Sequence, residues 1–429
     1  MSGDIFDCII VGAGPSGSIA GYLLAQAGLE VLIIERGNFA GSKNMTGGRL
    51  YSHSLEKIIP GFSKEAPVER RVIKETVTML TGDSSVSLDF QSELLGEEKK
   101  DSYTVLRADF DQWLASKAEE AGAILASGVR VDDLIIQDGK VTGVIAGEDE
   151  MEADVVILAD GVNSLLAQKA GLKAELKPDQ VAVGIKEVIE LPANVIEDRF
   201  NLNPGEGAAR LFVGDCTKGK IGGGFLYTNK NSISLGLVFT LSDIGTEGLS
   251  VPQMLEEFKQ HPAVKPLIKG GKLVEYSGHL VPEGGLTMLP KLYGDGVLVV
   301  GDAAGLVINA GYTVRGMDLA IASGEAAAQA VIAAQEKGDY TAPNLAHYKN
   351  LLDNSFIMRD LTKYQDFPIF MENHRIFKQY PQLAVDIFKD LYLIDGNPLK
   401  PLKKTALSHM KKVGIVNLLK DAWKGGKIL

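Results

Sequence analysis

Three turns in this chain put small residues where an apolar strand ends, two of them with a carboxylate, which is what a bound dinucleotide requires. The first is Gly12-x-Gly14-x-x-Gly17, directly after the apolar run Cys8–Val11. Gly12 permits the tight turn, Gly14 lets backbone approach a pyrophosphate, and Gly17 lets the next helix pack on the strand. That helix presents unpaired N–H groups to phosphate charge. Glu35 closes the following apolar strand about 20 residues on, where a carboxylate can accept from ribose hydroxyls. The second turn, Gly301-Asp302-Ala303-Ala304-Gly305, follows Val297–Val300, and an acid there can bond the ribitol chain of a flavin. The third is Asp160-Gly161, after "VVIL"; Arg107, ahead of the helix in "VLRADFDQWL", offers a cation to cofactor phosphate or ribose. Taken singly, each could be a packing turn, a solvated acid or a surface arginine. In register with strand, helix and strand, they specify a dinucleotide.

The elements that must hold these turns are legible from periodicity. Ile5–Val11 reads as a strand, Pro15–Ala27 as a helix closed by Gly28, and Val31–Glu35 as the next strand. Residues 68–105 alternate loosely, as antiparallel strands leaving the first domain, and short strands are expected at 125–145. Residues 154–164 and 296–305 read as buried strands. The β-branched and glycine-rich stretch 181–240 predicts a sheet with a hairpin turning at Lys230-Asn231. A helical segment follows at 252–269, then the strand "KLVEYSGHLVP", and a helix runs from about Gly316 to Gln335. From Thr341 the chain is helical, aromatic-rich and increasingly basic, ending in one helix over "HMKKVGIVNLLKDAWKGGKIL". The expected fold is mixed α/β: a Rossmann-like cofactor domain made discontinuous by an inserted antiparallel sheet, with a helical C-terminal region. The expected division is 1–67, 101–180 and 275–340 for the cofactor, 68–100 and 181–274 for the substrate sheet, and 341–429 for partner or membrane contact.

The 429 residues are 45% hydrophobic and 23% charged, with a net charge of −11, which argues against nucleic acid as a partner. From Lys400 onward eight lysines meet one acid, so that segment carries +7 and the preceding 399 residues −18. Such polarity fits an acidic protein partner or an anionic membrane surface. The acids in the opening MSGDIFD do not suit a secretory leader, and a cytoplasmic location is expected. The two cysteines, Cys8 and Cys216, cannot ligate an iron–sulfur cluster, and the histidines, His53 and His279 among them, fall in no metal-ligand spacing.

The three turns together resemble the flavoprotein group that includes p-hydroxybenzoate hydroxylase and geranylgeranyl reductase. That resemblance implies FAD, with its adenine half on the N-terminal motif and its ribitol at Asp302. The stretches "GGGFLYTNKNSISLGLVFTL", "FKQHPAVKPLIKGGKLVEY" and "VPEGGLTMLPKL" resemble the electron-transfer flavoprotein:quinone oxidoreductase family. "NMTGGRLYSHSLEKIIPGF", "LADGVNSLLAQK", "GYTVRGMDLAIASGEAAA" and "KKVGIVNLLKDAWKG" resemble its bacterial FixC branch. On this basis the cofactor contacts are expected at Gly12, Gly14, Pro15, Ser16, Gly17, Glu35 and Arg36 near the N-terminus. The loop residues Asn44, Thr46 and Gly47 join them, as do Arg107, Val131, Asp160 and Gly161. Gly301, Asp302, Gly311, Gly316 and Met317 complete the set. Gly223 and Gly224 would lay backbone against a quinone ring, walled by Phe225 and Tyr227.

The resemblance further implies electrons arriving from an electron-transfer flavoprotein heterodimer (FixA and FixB) and leaving to a membrane quinone. A small ferredoxin-like subunit (FixX) would supply the cluster module that the quinone oxidoreductases carry and this chain lacks. Location at the inner face of the cytoplasmic membrane is then expected. Gly311 and Gly316 let backbone sit against the flavin ring, and the helix from Gly316 would aim N–H groups at its pyrimidine side. A helix terminus contributes about 0.3–1 kcal/mol, up to ~2 when partly buried. At roughly 1.4 kcal/mol per 30 mV for a two-electron couple, that trims a potential by about 10–40 mV without setting it. The same motifs leave open an NADPH-dependent geranylgeranyl reductase or aromatic hydroxylase.

Overall fold

The computed structural model describes residues 5–43, 48–244 and 250–428. Among them the strands form an eight-stranded sheet, a nine-stranded sheet and a two-stranded hairpin. The first sheet has a parallel core: β1 (Phe6–Val11) lies between β2 (Val31–Glu35) and β10 (Asp149–Leu158), with β7 (Ile124–Ser127) and β17 (Val297–Val299) outside them. Their apolar runs suit a sheet covered on both faces, and Ile9, Ile10, Val155–Leu158 and Val297–Val300 are all buried. The short β16 (Tyr293–Gly294) pairs antiparallel with β17, while β8 (Asp133–Gln137) and β9 (Lys140–Ala146) form a hairpin on β10. Three helices meet over this sheet: α1 (Pro15–Gln26), α3 (Arg107–Glu120) and α9 (Met317–Gln335). Small residues let α1 and α9 touch, since a side chain on Gly324 would strike the Ser16 carbonyl. Among the described residues α9 alone is long and apolar enough to cross a membrane, and it is mostly buried here.

The second sheet runs β15 (Lys272–Pro282), β11 (Val181–Glu190), β14 (Ser232–Thr240), β13 (Gly222–Thr228), β12 (Glu206–Gly214), β4 (Val68–Leu80), β6 (Ser102–Val105) and β3 (Arg49–Tyr51), with β5 (Ser85–Gln91) on β4. The β13–β14 hairpin turns at 229–231, where the sequence predicts it. Arg70, buried on β4, donates to the carbonyls of Asn229 (2.6 Å), Lys230 (2.9 Å) and Glu206 (3.0 Å), and so clamps that turn to the neighbouring strand. The sheet also takes β3, β6 and β15, drawn from segments that the sequence places with the cofactor. A backbone edge is completed by whichever strand reaches it, whatever the chain order. Helix α2 (His53–Ile58) follows β3, and α4 (Leu165–Lys169) follows the Asp160 turn. Helices α5 (Ala193–Phe200) and α7 (Val251–Gln260) cover one face of the second sheet, burying Ile196, Phe200, Met254, Leu255 and Phe258. The helix expected over 252–269 is broken at His261-Pro262, giving α7 and α8 (Lys265–Ile268), because the residue before a proline avoids helical torsions. The short α6 (Leu241–Ile244) ends β14.

The C-terminal region comprises α10 (Ala342–Asp353), α11 (Phe356–Lys363), α12 (Phe367–Met371), α13 (Gln379–Tyr392), α14 (Leu402–Val413) and α15 (Ile415–Ile428). The single terminal helix expected from the sequence is two helices. Gly414, at φ +94°, turns the chain between them, a torsion that side chains other than glycine's rarely allow.

Candidate functional site

A cavity of about 700 Å³ lies between the two sheets. At one end is the β1–α1 turn. Gly12 has φ +105°, and a Cβ there would strike the Ala159 carbonyl; a Cβ on Gly17 would strike the Gly12 carbonyl. Gly14 has open space where its side chain would stand, and no side chain caps α1. Gly14, Pro15 and Ser16 therefore present the free helix end to the cavity. Glu35 accepts from the Ala13 N–H (3.0 Å) and the Gly37 N–H (2.6 Å), tying β2 to the glycine turn. A carboxylate has about four acceptor sites, so two remain for hydroxyls.

Midway, the turns after β10 and β17 bring Gly161 and Asp302 to the cavity wall. Asp302 sits on a short turn opened by Gly301, whose positive φ (+59°) and contact with Ser16 leave no room for a side chain. Burial raises the Asp302 carboxyl, with Arg107 and Lys173 pulling the other way. Asp160 is likewise raised by burial; its buried Oδ1 has no hydrogen-bond partner among the described residues, and the residue stands behind the cavity wall that Ala159 and Gly161 line. Lys173, which the sequence reading missed, donates from Nζ to the Val162 carbonyl (2.9 Å) and the Ala303 carbonyl (3.0 Å). It latches the two acid-bearing turns together. Nothing in "AGLKAELK" distinguishes it from a surface lysine.

Arg107 lines the same wall and makes a two-pronged pair with Asp111, Nε to Oδ1 and Nη2 to Oδ2, both 2.7 Å. One helical turn separates the two, so Asp111 orients the guanidinium that faces the cavity. His279 on β15 is pushed down to about 4 by burial, with Arg107 and Arg36 adding to the effect. Arg36 is exposed, and Val131 packs on the first sheet's core without reaching the cavity wall. Asn44, Thr46 and Gly47 lie outside the described residues.

At the far end Gly316 and Met317 open α9 against the cavity, beside the small hairpin β18 (Ile308–Asn309) and β19 (Val314–Arg315) that carries Gly311. The opposite wall is β13. Strand alternation turns Phe225 and Tyr227 inward, ring centroids 5.5 Å apart. Gly223 shares their face. The missing side chain of Gly224 points the other way, where a Cβ would meet the Phe258 ring at 2.9 Å, so that glycine also serves packing. Tyr227 covers Gly48, and burial raises its phenol. Arg49, paired with Glu75 and lying 4.8 Å over the Tyr51 ring, adds a charge that the sequence reading did not single out. The cavity is roofed by Tyr364, Phe367, Pro368 and Met371, from a region that the sequence assigns to partner contact.

The arrangement fits a flavin dinucleotide: an uncapped helix end for phosphate, open space where a Gly14 side chain would stand, and Asp302 and Arg107 on the same cavity wall. Residues 6–199 match the FAD binding domain family, 181–281 the ETF-QO ubiquinone-binding family, and 367–429 the ETF-QO/FixC family C-terminal domain. The chain is 56% identical over 429 residues, all of both chains, to the probable electron transfer flavoprotein-quinone oxidoreductase YdiS and to protein FixC of Escherichia coli K12. It is 42% identical over 426 residues, 98% of each chain, to protein FixC of Bradyrhizobium diazoefficiens. Among solved structures, a geranylgeranyl bacteriochlorophyll reductase-like protein from Thermoplasma acidophilum superposes with a TM-score of 0.73 at 23% identity, covering 97% of this chain and 99% of that one. The flavin-dependent brominase Bmp2 gives 0.64 at 17% identity, covering 96% and 99%. These two show the shared fold. With FAD as its cofactor, this chain is a flavoprotein oxidoreductase belonging to the ETF-QO/FixC family.

Proposed function

We propose that this chain accepts electrons from an electron-transfer flavoprotein heterodimer of the FixA/FixB kind and delivers them in pairs to a membrane quinone. It would do so as the high-potential-branch subunit of a FixABCX-type, electron-bifurcating complex. The carrying observation is one continuous cavity: the turns that hold a dinucleotide and the β13 wall of the ubiquinone-binding match face the same space. FAD, when bound, supplies the two-electron redox chemistry. The chain's residues do the rest. The α1 N-terminus holds phosphate, Asp302 fixes hydroxyls, the α9 N-terminus favours negative charge near the ring, and Phe225 and Tyr227 wall the quinone. The functional division into a cofactor domain, a quinone sheet and a basic helical region belongs to this reading. A FixX-like subunit would bring the cluster for which two buried cysteines cannot substitute.

Helix α15 supports docking at an anionic membrane surface. It turns Asp421 inward, onto Arg375, Tyr380 and Asn373, and leaves Val416, Leu419 and Trp423 78%, 66% and 68% exposed among lysines. An apolar face turned outward with a polar anchor inside is the reverse of a core helix. The deciding experiment is anaerobic titration of the FAD-loaded chain. NADPH alone should reduce the flavin slowly, reduced electron-transfer flavoprotein quickly, and a ubiquinone analogue should reoxidise it. Brisk reduction by NADPH without a protein donor would replace this reading with a prenyl reductase or hydroxylase.

A further inference from the structure

Glu283 follows β15 directly, and its side chain lines the cavity on the same side as Gly222–Gly224. Two bonds fix it. Its backbone N–H donates to the Gln180 carbonyl (2.8 Å), and its Oε2 accepts from the Thr240 hydroxyl (2.8 Å). Thr240 ends β14, and its N–H reaches the Ile221 carbonyl (3.1 Å), so the carboxyl is held beside the start of the glycine wall. Burial raises its pKa, and only the Thr240 hydrogen bond opposes that. Asp179 stands next to Gln180, and Asp243, which accepts from the Ile221 N–H (2.8 Å), lies 3.9 Å from His374; these and Glu372 line the cavity, as do the arginines Arg49, Arg107 and Arg315. Asp179, Glu372 and His374 are exposed, which puts a wet mouth next to a half-buried acid.

We propose that Glu283 is the acid that protonates the quinone, an assignment that rests on the quinone reading above. Forming a quinol adds two electrons and two protons. The electron pair and one proton would come with FAD bound in its reduced form. The other proton comes from Glu283, whose O–H bond breaks as a quinol O–H bond forms. Water at the mouth then reprotonates the carboxylate. A positioned acid of this kind is worth about 10²–10⁴ in rate.

The test uses Glu283→Gln in the full, FAD-loaded chain, with a short-chain ubiquinone as probe. Flavin reduction by the electron-transfer flavoprotein should keep its wild-type rate. Reoxidation by the quinone should slow by about 10²-fold and lose the high-pH limb of the wild-type profile. Independently of turnover, the infrared difference between wild type and variant should isolate a Glu283 carbonyl band that persists to higher pH than that of an ordinary carboxyl. Wild-type reoxidation with an unchanged pH profile in the variant would overturn the assignment alone. Wild-type protein that quinone does not reoxidise would overturn the quinone reading and this with it. Should Glu283→Gln misfold, Thr240→Val keeps the carboxyl and removes the bond that lowers its pKa. The alkaline limb should then move upward, and an unmoved limb would sink the proposal.

Discussion

At the scale of single residues, the site depends on carboxylates held in places that disfavour their charge. Asp302 is half-buried, its carboxyl raised by desolvation and steadied by Arg107 and Lys173. Asp302→Asn keeps the shape and removes both the charge and its acceptor strength. We expect FAD affinity to fall about 10-fold or more, since a hydrogen bond to a charged group contributes roughly 1.5–3 kcal/mol. The melting temperature of the FAD-free variant should hold or rise, because a desolvated charge has gone; flavin fluorescence titration and thermal unfolding read the two effects separately. His279 makes the complementary case. Its imidazole is held near 4 against an ordinary 6.5, so between those values the unfolded chain binds a proton that the folded chain refuses. Stability must therefore fall as pH drops through that window, by up to about 3 kcal/mol. Denaturant melts of the FAD-free chain at pH 6.5 and pH 4.5 should show that loss, and His279→Gln should lessen it.

Whole elements act through their ends. Helix α1 starts without a side-chain cap and α9 starts on a glycine, and both starts line the cavity, so unpaired N–H groups collect where an anionic cofactor belongs. Helix α15 is held differently. The bidentate Arg375–Asp421 pair, with Tyr380 and Asn373 bonding the same carboxylate, pulls Asp421 well below the usual carboxylate range. Asp421→Ala should release α15 while the sheets stay folded. Limited proteolysis would then cut beyond Gly414 several-fold faster, with flavin content unchanged. Equal cutting rates would show that apolar packing, such as Gly425 on Phe370, suffices to hold the helix.

Across the molecule, basic charge and one group of exposed apolar residues gather at the C-terminal end of the chain. The eight lysines beyond residue 399 share that end with exposed Leu399, Leu402, Val416, Leu419 and Trp423. Lysine stems lie along apolar surface while their ammonium groups reach outward, which suits an interface between water and anionic headgroups. We expect the chain to co-sediment with vesicles containing anionic lipid and to leave them as salt rises. Val416→Glu combined with Leu419→Glu should abolish the binding without changing flavin reduction. Binding that survives both substitutions would move the docking surface elsewhere.

What the sequence determined by itself is local chemistry. A glycine at a strand end, an acid one residue past an apolar run, a hairpin at Lys230-Asn231 and a basic tail are each written within a few residues, because steric and charge rules act at that range. Their assembly was decided by the tertiary structure. Lys173 reads as a surface lysine until its Nζ is found between the carbonyls of two distant turns. Glu283 becomes a cavity acid only because β15 pairs with β11 and sets it beside Thr240. Phe367, Pro368 and Met371 read as part of a docking region, yet they roof the cavity. Buried backbone and apolar surface must be satisfied by whatever segment reaches them, and no rule of sequence neighbourhood says which segment that will be.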